Sequence, residues 1–322
     1  MNSEVEAINY IMAGGEGRRL YPLTAGNKPK SLLPIGESMR CIDFTLDSTE
    51  KSGFLSIIAG YYGFAHLQEY VCKDNDHSIL IKDSKLLGFG SLIEHLGILC
   101  QATTKNIFIT PADHVHFLDY QKMLAFHTGN QAKATIVAIK PTDDPNHRMW
   151  VEKSGNISSY QGKPVEHAQQ LHATGIYCFD IDFLIGVLKQ RYITDKHFDI
   201  TDVFRGLVKD KTAFAYLYNG HWRDIGTLDR YYEENIRISH REDRNVFVGN
   251  NYVADSASVA NCVFLGKVSV GKNCHLKKAI LTEEVEIPAR VRLGFDRYED
   301  EKRNIMITPK GIRVVSGGSS LL

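Results

Sequence analysis

Short apolar runs and helix-length segments alternate from Tyr10 to about Arg237. Residues 10–13, 54–60, 106–110 and 135–140 are brief, rich in β-branched and aromatic side chains, and bounded by glycine, proline or polar residues, so each reads as a strand. Between them, 65–71, 92–101 and 120–127 have the length and spacing of helices. This alternation predicts an α/β unit: a Rossmann-like, mainly parallel sheet with helices on both faces. In such sheets ligands bind beyond the carboxyl ends of the strands.

The pattern changes after the polar run 239–244, which reads as a linker. Beyond it the spacing is roughly sixfold: units at 253–258, 259–264 and 265–270 open on Val253, Val259 and Leu265, 271–276 continues them loosely, and 285–291 closes the stretch. Apolar residues opening six-residue units with small residues inside fit a short left-handed parallel β-helix. An ordinary run of antiparallel strands fits as well. The expected division is a catalytic domain over 1–240 and a hexapeptide-repeat domain over 245–322, with 316–320 a flexible tail.

The 322 residues suit two domains, and 43% hydrophobic with 24% charged is a soluble globular composition. Lys+Arg and Asp+Glu are both 38, so no overall positive field exists to hold nucleic acid. No run approaches the ~18 apolar residues of a membrane span. The six cysteines form no C-x-x-C pair and several lie in apolar runs, so buried free thiols in a reducing cytoplasm are expected. The start, with Glu4 and Glu6, does not look like a signal peptide.

The candidate chemistry begins where the first strand ends, at Ala13, Gly14, Gly15, Glu16, Gly17, Arg18 and Arg19. Glycines let backbone N–H groups approach a ligand, and such a loop makes a nest for phosphate oxygens. Arg18, Arg19 and Lys28 add positive charge. Leu20 stands where a dinucleotide fingerprint needs glycine, and no Gly-Lys-Ser/Thr follows to make a P-loop. A plain glycine turn is the other reading.

Asp113 follows the strand at 106–110, at the same expected sheet edge, where it could hold Mg²⁺ together with nucleotide phosphates or simply cap the next helix. His114 and His116 raise zinc, but no third ligand is evident. Residues 222–227 join an aromatic, an Arg–Asp pair and a glycine turn, with Thr227 placed as the N-cap of a helix from Leu228.

Several stretches together resemble one family. They are 14–24 with Lys28-Pro29, 40–48 with Ser52-Gly53, 111–120, 174–177, 221–229, and Ile287-Pro288 through 294–296, in order over nearly the whole chain. The chain is similar to the sugar-1-phosphate nucleotidyltransferases, and among them to the ADP-glucose pyrophosphorylases (glucose-1-phosphate adenylyltransferases). The resemblance implies Mg²⁺-dependent transfer of a nucleotidyl group from an NTP, ATP first, to a sugar 1-phosphate, glucose 1-phosphate first. It implies catalytic roles for Arg18, Lys28 and Asp113, nucleotide contacts from Ala13, Gly14, Gly15, Gly17 and Arg18, and sugar-phosphate contacts from Lys163, Gly175 and Asp224. Asp113 and Asp224 would be the metal ligands, and the assembly a cytoplasmic homotetramer or a hetero-oligomer with a homologous subunit.

Departures from the pattern are equally specific. Gly162 stands where the family has a hydroxyl-binding Glu, and Ala173 where it has a glucose-contacting Ser. The base-side stretch aligns poorly with 88–95, and both 72–87 and the β-helix are short. A site that loses hydrogen-bonding groups loses discrimination before it loses fold. The departures point to a different sugar or sugar-like alcohol phosphate, or to a weakened enzyme; the rival readings are a catalytically weakened regulatory subunit and, more distantly, an acyltransferase on the β-helix, for which His275 has no evident partner base.

Overall fold

A computed structural model describes residues 6–74, 78–86, 88–142, 147–194 and 200–317. The part of the tail from residue 318 onward lies outside the described residues. The chain forms two compact units: residues up to Glu16 with Ile42–Trp222, and Gly17–Cys41 with Arg223 onward.

The first unit is built on a nine-stranded sheet. Its strands are β1 (Ala7–Met12), β2 (Leu55–Gly60), β3 (Ser78–Lys82) and β4 (Asn106–Pro111), then, after the short β5 (His114–His116), β6 (Ala134–Ile139), β7 (Arg148–Val151), β8 (Ile157–Tyr160), β9 (Gln169–Asp180) and β10 (Ala213–Leu217). The order β4-β1-β2-β3 is parallel throughout. β4 is buried on both faces: Ile107 and Ile109 join one apolar cluster, Phe108 the other, as the period of two requires. The four strand runs expected from the sequence are present within a residue or a few of their expected ends.

The other half of the sheet is mixed: β9 runs opposite to β4, β6 and β7, and β8 opposite to β7, while β10 pairs parallel with β6. β7 and β8 are short and carry polar residues, so nothing in their periodicity announces them. The core is thus a parallel sheet with a mixed flank. The single helix expected over 92–101 is instead two short ones, Ser91–Glu94 and Leu96–Leu99. His95 sits at the break with φ −95° and ψ 14°, and its imidazole Nδ1 is 2.7 Å from the Tyr10 hydroxyl on β1. Among the described residues no helix is long and apolar enough to cross a membrane.

The second unit carries a helix (Leu228–Ile238) and then three parallel ladders. Val246 lies opposite Val263, which lies opposite Ile280; Tyr252, Ser269 and Glu286 form the second series, and Ser258, His275 and Arg292 the third. Every step is 17 residues, one less than three hexads. Corner residues keep the same step: Arg244, Asn261 and Lys278 all have φ of 53°. Polar side chains close the coils in that step too, Asn245 Oδ1 accepting from Cys262 N, Asn251 Oδ1 from Val268 N and Ser256 Oγ from Asn273 N. Valines, leucines and isoleucines line the interior. The result is a short stack consistent with a left-handed β-helix, not a closed solenoid. The antiparallel alternative applies only at its end, where Met306–Ile307 pairs with Arg313–Val315.

None of the six cysteines is in a disulfide. Cys41, Cys178, Cys262 and Cys274 are buried, but Cys72 and Cys100 are exposed: each lies near the end of a helix, where its side chain has no core to enter.

Candidate functional site

In the first unit, the parallel strands β4, β1 and β3, the last two separated by β2, end at one edge of the sheet, and each is followed by a group of interest. β1 runs into Ala13, whose N–H donates to Ala59 O at 2.7 Å, and then opens at Gly14. A Cβ on Gly14 would lie 3.2 Å from Asp83 Oδ2 and 3.4 Å from Tyr61 Cβ, so the neighbouring chain packs directly on the glycine. Asp83 immediately follows β3 and is 5% exposed. Its Oδ1 accepts from Ser91 Oγ at 2.6 Å and lies 3.6 Å from His95 Nε2. Tyr10, His95, Asp83 and Ser91 thus form a buried polar chain running behind the glycine turn. Desolvation, opposed by the Ser91 hydrogen bond and His95, raises the Asp83 pKa above the ordinary carboxylate value. The strand-end logic that singles out Asp113 applies equally to Asp83, which the sequence reading passed over.

Asp113 stands just past β4 and is 7% exposed. The preceding Ala112 N–H donates to Met12 O at 3.0 Å, tying this turn to the end of β1. Asp113 does not cap the following helix; Asp119 does, accepting from Lys122 N. Gly175 (φ 84°) lies where the β9–β6 register shifts between Ala173 and Tyr177. A Cβ there would be 3.6 Å from His114 and 3.8 Å from Pro111. Glycine at this bulge therefore brings β9 against the turn that bears Asp113.

The two histidines that follow Asp113 both have hydrogen-bond partners within the fold. His114 Nδ1 receives the Trp222 indole N–H at 3.4 Å, with the rings edge to face. His116 is fully buried; Nδ1 accepts from Leu118 N, which leaves Nε2–H to donate to Thr45 Oγ1 at 3.3 Å. Burial, then the nearby His114, lowers its pKa to about 3. No group of three or more His, Cys, Asp or Glu placed to hold a metal exists among the described residues.

Lys163 lies in an exposed stretch, 161–167, between β8 and β9. A Cβ on the preceding Gly162 would run into Ser159 Oγ. Ala173 is buried in β9 beside the bulge.

The second unit holds the remaining candidates. Gly17 has φ 68°, and Arg18 and Arg19 follow in an exposed 3-10 turn anchored by the buried Leu20. Lys28 donates to Glu283 Oε2 at 2.6 Å, in the turn after the coil strand His275–Leu281. Asp224 Oδ2 accepts from Arg230 Nη1 at 2.5 Å, while its Oδ1 is buried with no hydrogen-bond partner. Gly226 is packed so closely that a Cβ would collide with Asp224 Oδ1 at 2.7 Å and sit 3.2 Å from Arg19 Nη2. Asp224, Arg230 and Arg19 therefore cluster around one glycine. Thr227 caps the helix as expected, its side chain accepting from Arg230 N.

Two observations bear on a divalent cation. The donors at Asp113 and Asp224 are carboxylates, the hard oxygen ligands that Mg²⁺ takes. Asp224 Oδ1 is a buried acceptor left without a donor, which costs free energy unless a cation or ligand meets it. Each carboxylate, taken by itself, is of the kind that Mg²⁺ accepts.

Comparison with known proteins gives two matching families. Residues 8–241 match the nucleotidyl transferase family, and residues 236–315 match the GlmU-like C-terminal hexapeptide family. Relatives along nearly the full length carry the name glucose-1-phosphate adenylyltransferase. The protein from Anaeromyxobacter sp. (strain Fw109-5) is 24% identical, over 94% of this chain and 98% of its own. Those of Haemophilus influenzae (strain ATCC 51907 / DSM 11121 / KW20 / Rd) and Nitrosococcus oceani are 25% and 26% identical, each over 97% of this chain and 94% of its own.

Proposed function

The chain belongs to the nucleotidyl transferase family, and on that premise we propose that it transfers the nucleotidyl group of an NTP, ATP first, to a sugar 1-phosphate, glucose 1-phosphate first. The observation that carries this reading is that β1 and β4 end as neighbours, with Ala112 N–H bonded to Met12 O, so the Gly14 turn and the buried Asp113 both follow directly from that edge, and the Gly175 bulge of β9 packs beside Pro111 and His114.

The reaction needs no protein nucleophile. An ionised oxygen of the sugar phosphate attacks the α-phosphorus, the new P–O bond forms, the α–β bridging bond breaks, and pyrophosphate leaves with the electron pair. The protein aligns two anions and offsets the charge that gathers on the leaving group. In this reading the amides of Gly14, Gly15 and Gly17 hold phosphate oxygens. Arg18 and Lys28 stand over the pyrophosphate, and Lys163 grips the attacking phosphate. Asp113 and Asp224 are the residues that would hold Mg²⁺, which would supply neutralisation of phosphate charge. Residues 1–240 are the transferase part and 245–322 the assembly part of a cytoplasmic oligomer, a tetramer by the earlier resemblance.

A second reading is a weakened or regulatory subunit that works beside a homologous active chain. It is favoured by the engagement of Lys28 with Glu283 and of Asp224 with Arg230, and by Gly162 and Ala173, which supply no hydroxyl-binding side chain. A pyrophosphate-release screen of the purified protein against a matrix of NTPs and sugar 1-phosphates, with Mg²⁺, separates the two. Release with ATP and glucose 1-phosphate supports transfer. Silence across the matrix, with altered kinetics of a co-expressed homologous chain, replaces it with the second reading.

A further inference from the structure

Lys28 is tied to the coil at a point outside the reaction chemistry. Asn27 (φ 64°) and the buried Pro29 fix the backbone on either side of it. Glu283 sits in a turn held by the Thr282 N–H to Val315 O bond and by Glu284 at φ 62°. Two constrained turns thus present one ammonium and one carboxylate to each other at 2.6 Å, and both side chains keep about half their exposure, 43% and 59%. The adjacent Glu284 pairs elsewhere, with Lys267 at 3.3 Å. An ammonium already paired with a carboxylate offers a phosphate less net positive charge, although it keeps donors to spare. An exposed pair of this kind is weak enough to exchange partners.

We propose that Glu283 is an electrostatic latch: it competes with the nucleotide's phosphates for Lys28, so that the coil sets how readily the phosphate loop takes a polyanion. The latch rests on the assignment of Lys28 to the phosphates. It extends that assignment by making the coil a regulator of the loop, since anything that draws Glu283 away frees the lysine.

The test is a double-mutant cycle read by calorimetric titration of the full-length protein with Mg·ATP, at low and at high salt. Glu283→Gln is expected to tighten binding about twofold to fivefold at low salt, the range an exposed ion pair can contribute, and the gain should shrink at high salt. In a Lys28→Gln background the gain should vanish. Glu284→Gln, which removes the same charge one residue away, should leave affinity unchanged. Melting temperatures of all variants check that the turn is intact. If Glu283→Gln leaves affinity unchanged while Lys28→Gln weakens it, the latch is refuted and the phosphate role of Lys28 stands. Equal tightening by Glu284→Gln would reduce the effect to the general field and also refute the latch. If neither Lys28→Gln nor Glu283→Gln has any effect, the latch and the assignment beneath it both fall.

Discussion

Asp113 and Asp224 occupy opposite situations. Asp113 is 7% exposed and stands at the end of a strand buried on both faces, so its position is set by the sheet. Asp224 keeps about 30% of its side-chain exposure, is paired with Arg230, and has one oxygen without a hydrogen-bond partner. The same contrast separates the glycines of the first unit, held by packed strands, from Lys28 of the second, held by an ion pair. Groups fixed by a core are pre-organised and cost nothing to align, whereas groups fixed by a charge partner must first give that partner up. The first unit supplies the rigid part of the proposed chemistry, and the second supplies charge that can be withheld.

The widest gap between the two should appear in turnover. Asp113→Asn is expected to leave the melting temperature unchanged and cut pyrophosphate release by about two to three orders of magnitude. Asp224→Asn should cost only about tenfold and raise the Mg²⁺ concentration needed for half-maximal rate, because Arg230 loses a partner as the metal loses a ligand. Equal losses at both positions would erase the distinction.

Acid should next expose the first unit. His116 is neutral in the fold with a pKa near 3, against about 6.5 in an unfolded chain. The unfolded chain therefore binds the extra proton between those values, and stability is complete above pH 6.5 and is lost as the pH falls toward 3. Urea midpoints measured from pH 7 to pH 4 should decline, and His116→Gln should flatten the decline. An unchanged slope in that variant would remove His116 as its cause.

The smallest effect should come from Gly175→Ala. At φ 84° the added methyl is strained, although the nearest atoms lie no closer than 3.6 Å. A loss of about 1–2 kcal/mol in a denaturant titration is expected. No loss would mean that β9 relaxes easily and that the first unit is less rigid than its packing implies.

How far the sequence revealed this arrangement depended on how local each signal was. β1, β2 and β4 were legible because burial on both faces leaves continuous apolar runs, whereas the parallel edge strand β3, half exposed along its length, was not. β7 and β8 were hidden because short strands with polar residues resemble loops. Thr227 was readable as a cap, since capping is decided within four residues. Asp113 could be named from its place after a strand. Glu283, 255 residues from Lys28 in sequence, and the Tyr10–His95–Asp83 chain could not, because only the fold brings their members together. His95 also broke a helix that periodicity alone would have continued. In the coil, the sixfold repeat was visible, but the loss of one residue per turn was not.

That missing residue makes length a quantised property of the C-terminal region. Corners, side-chain closures and ladder partners all return after 17 positions, so a whole turn can be removed or duplicated only in blocks of 17. A deletion of six, one hexad as read along the sequence, would put left-handed corners where strand residues belong and turn interior valines outward. The region should therefore grow or shrink by integers, like storeys of a building, and a chimera that adds 18 residues instead of 17 would be out of phase at its first joint.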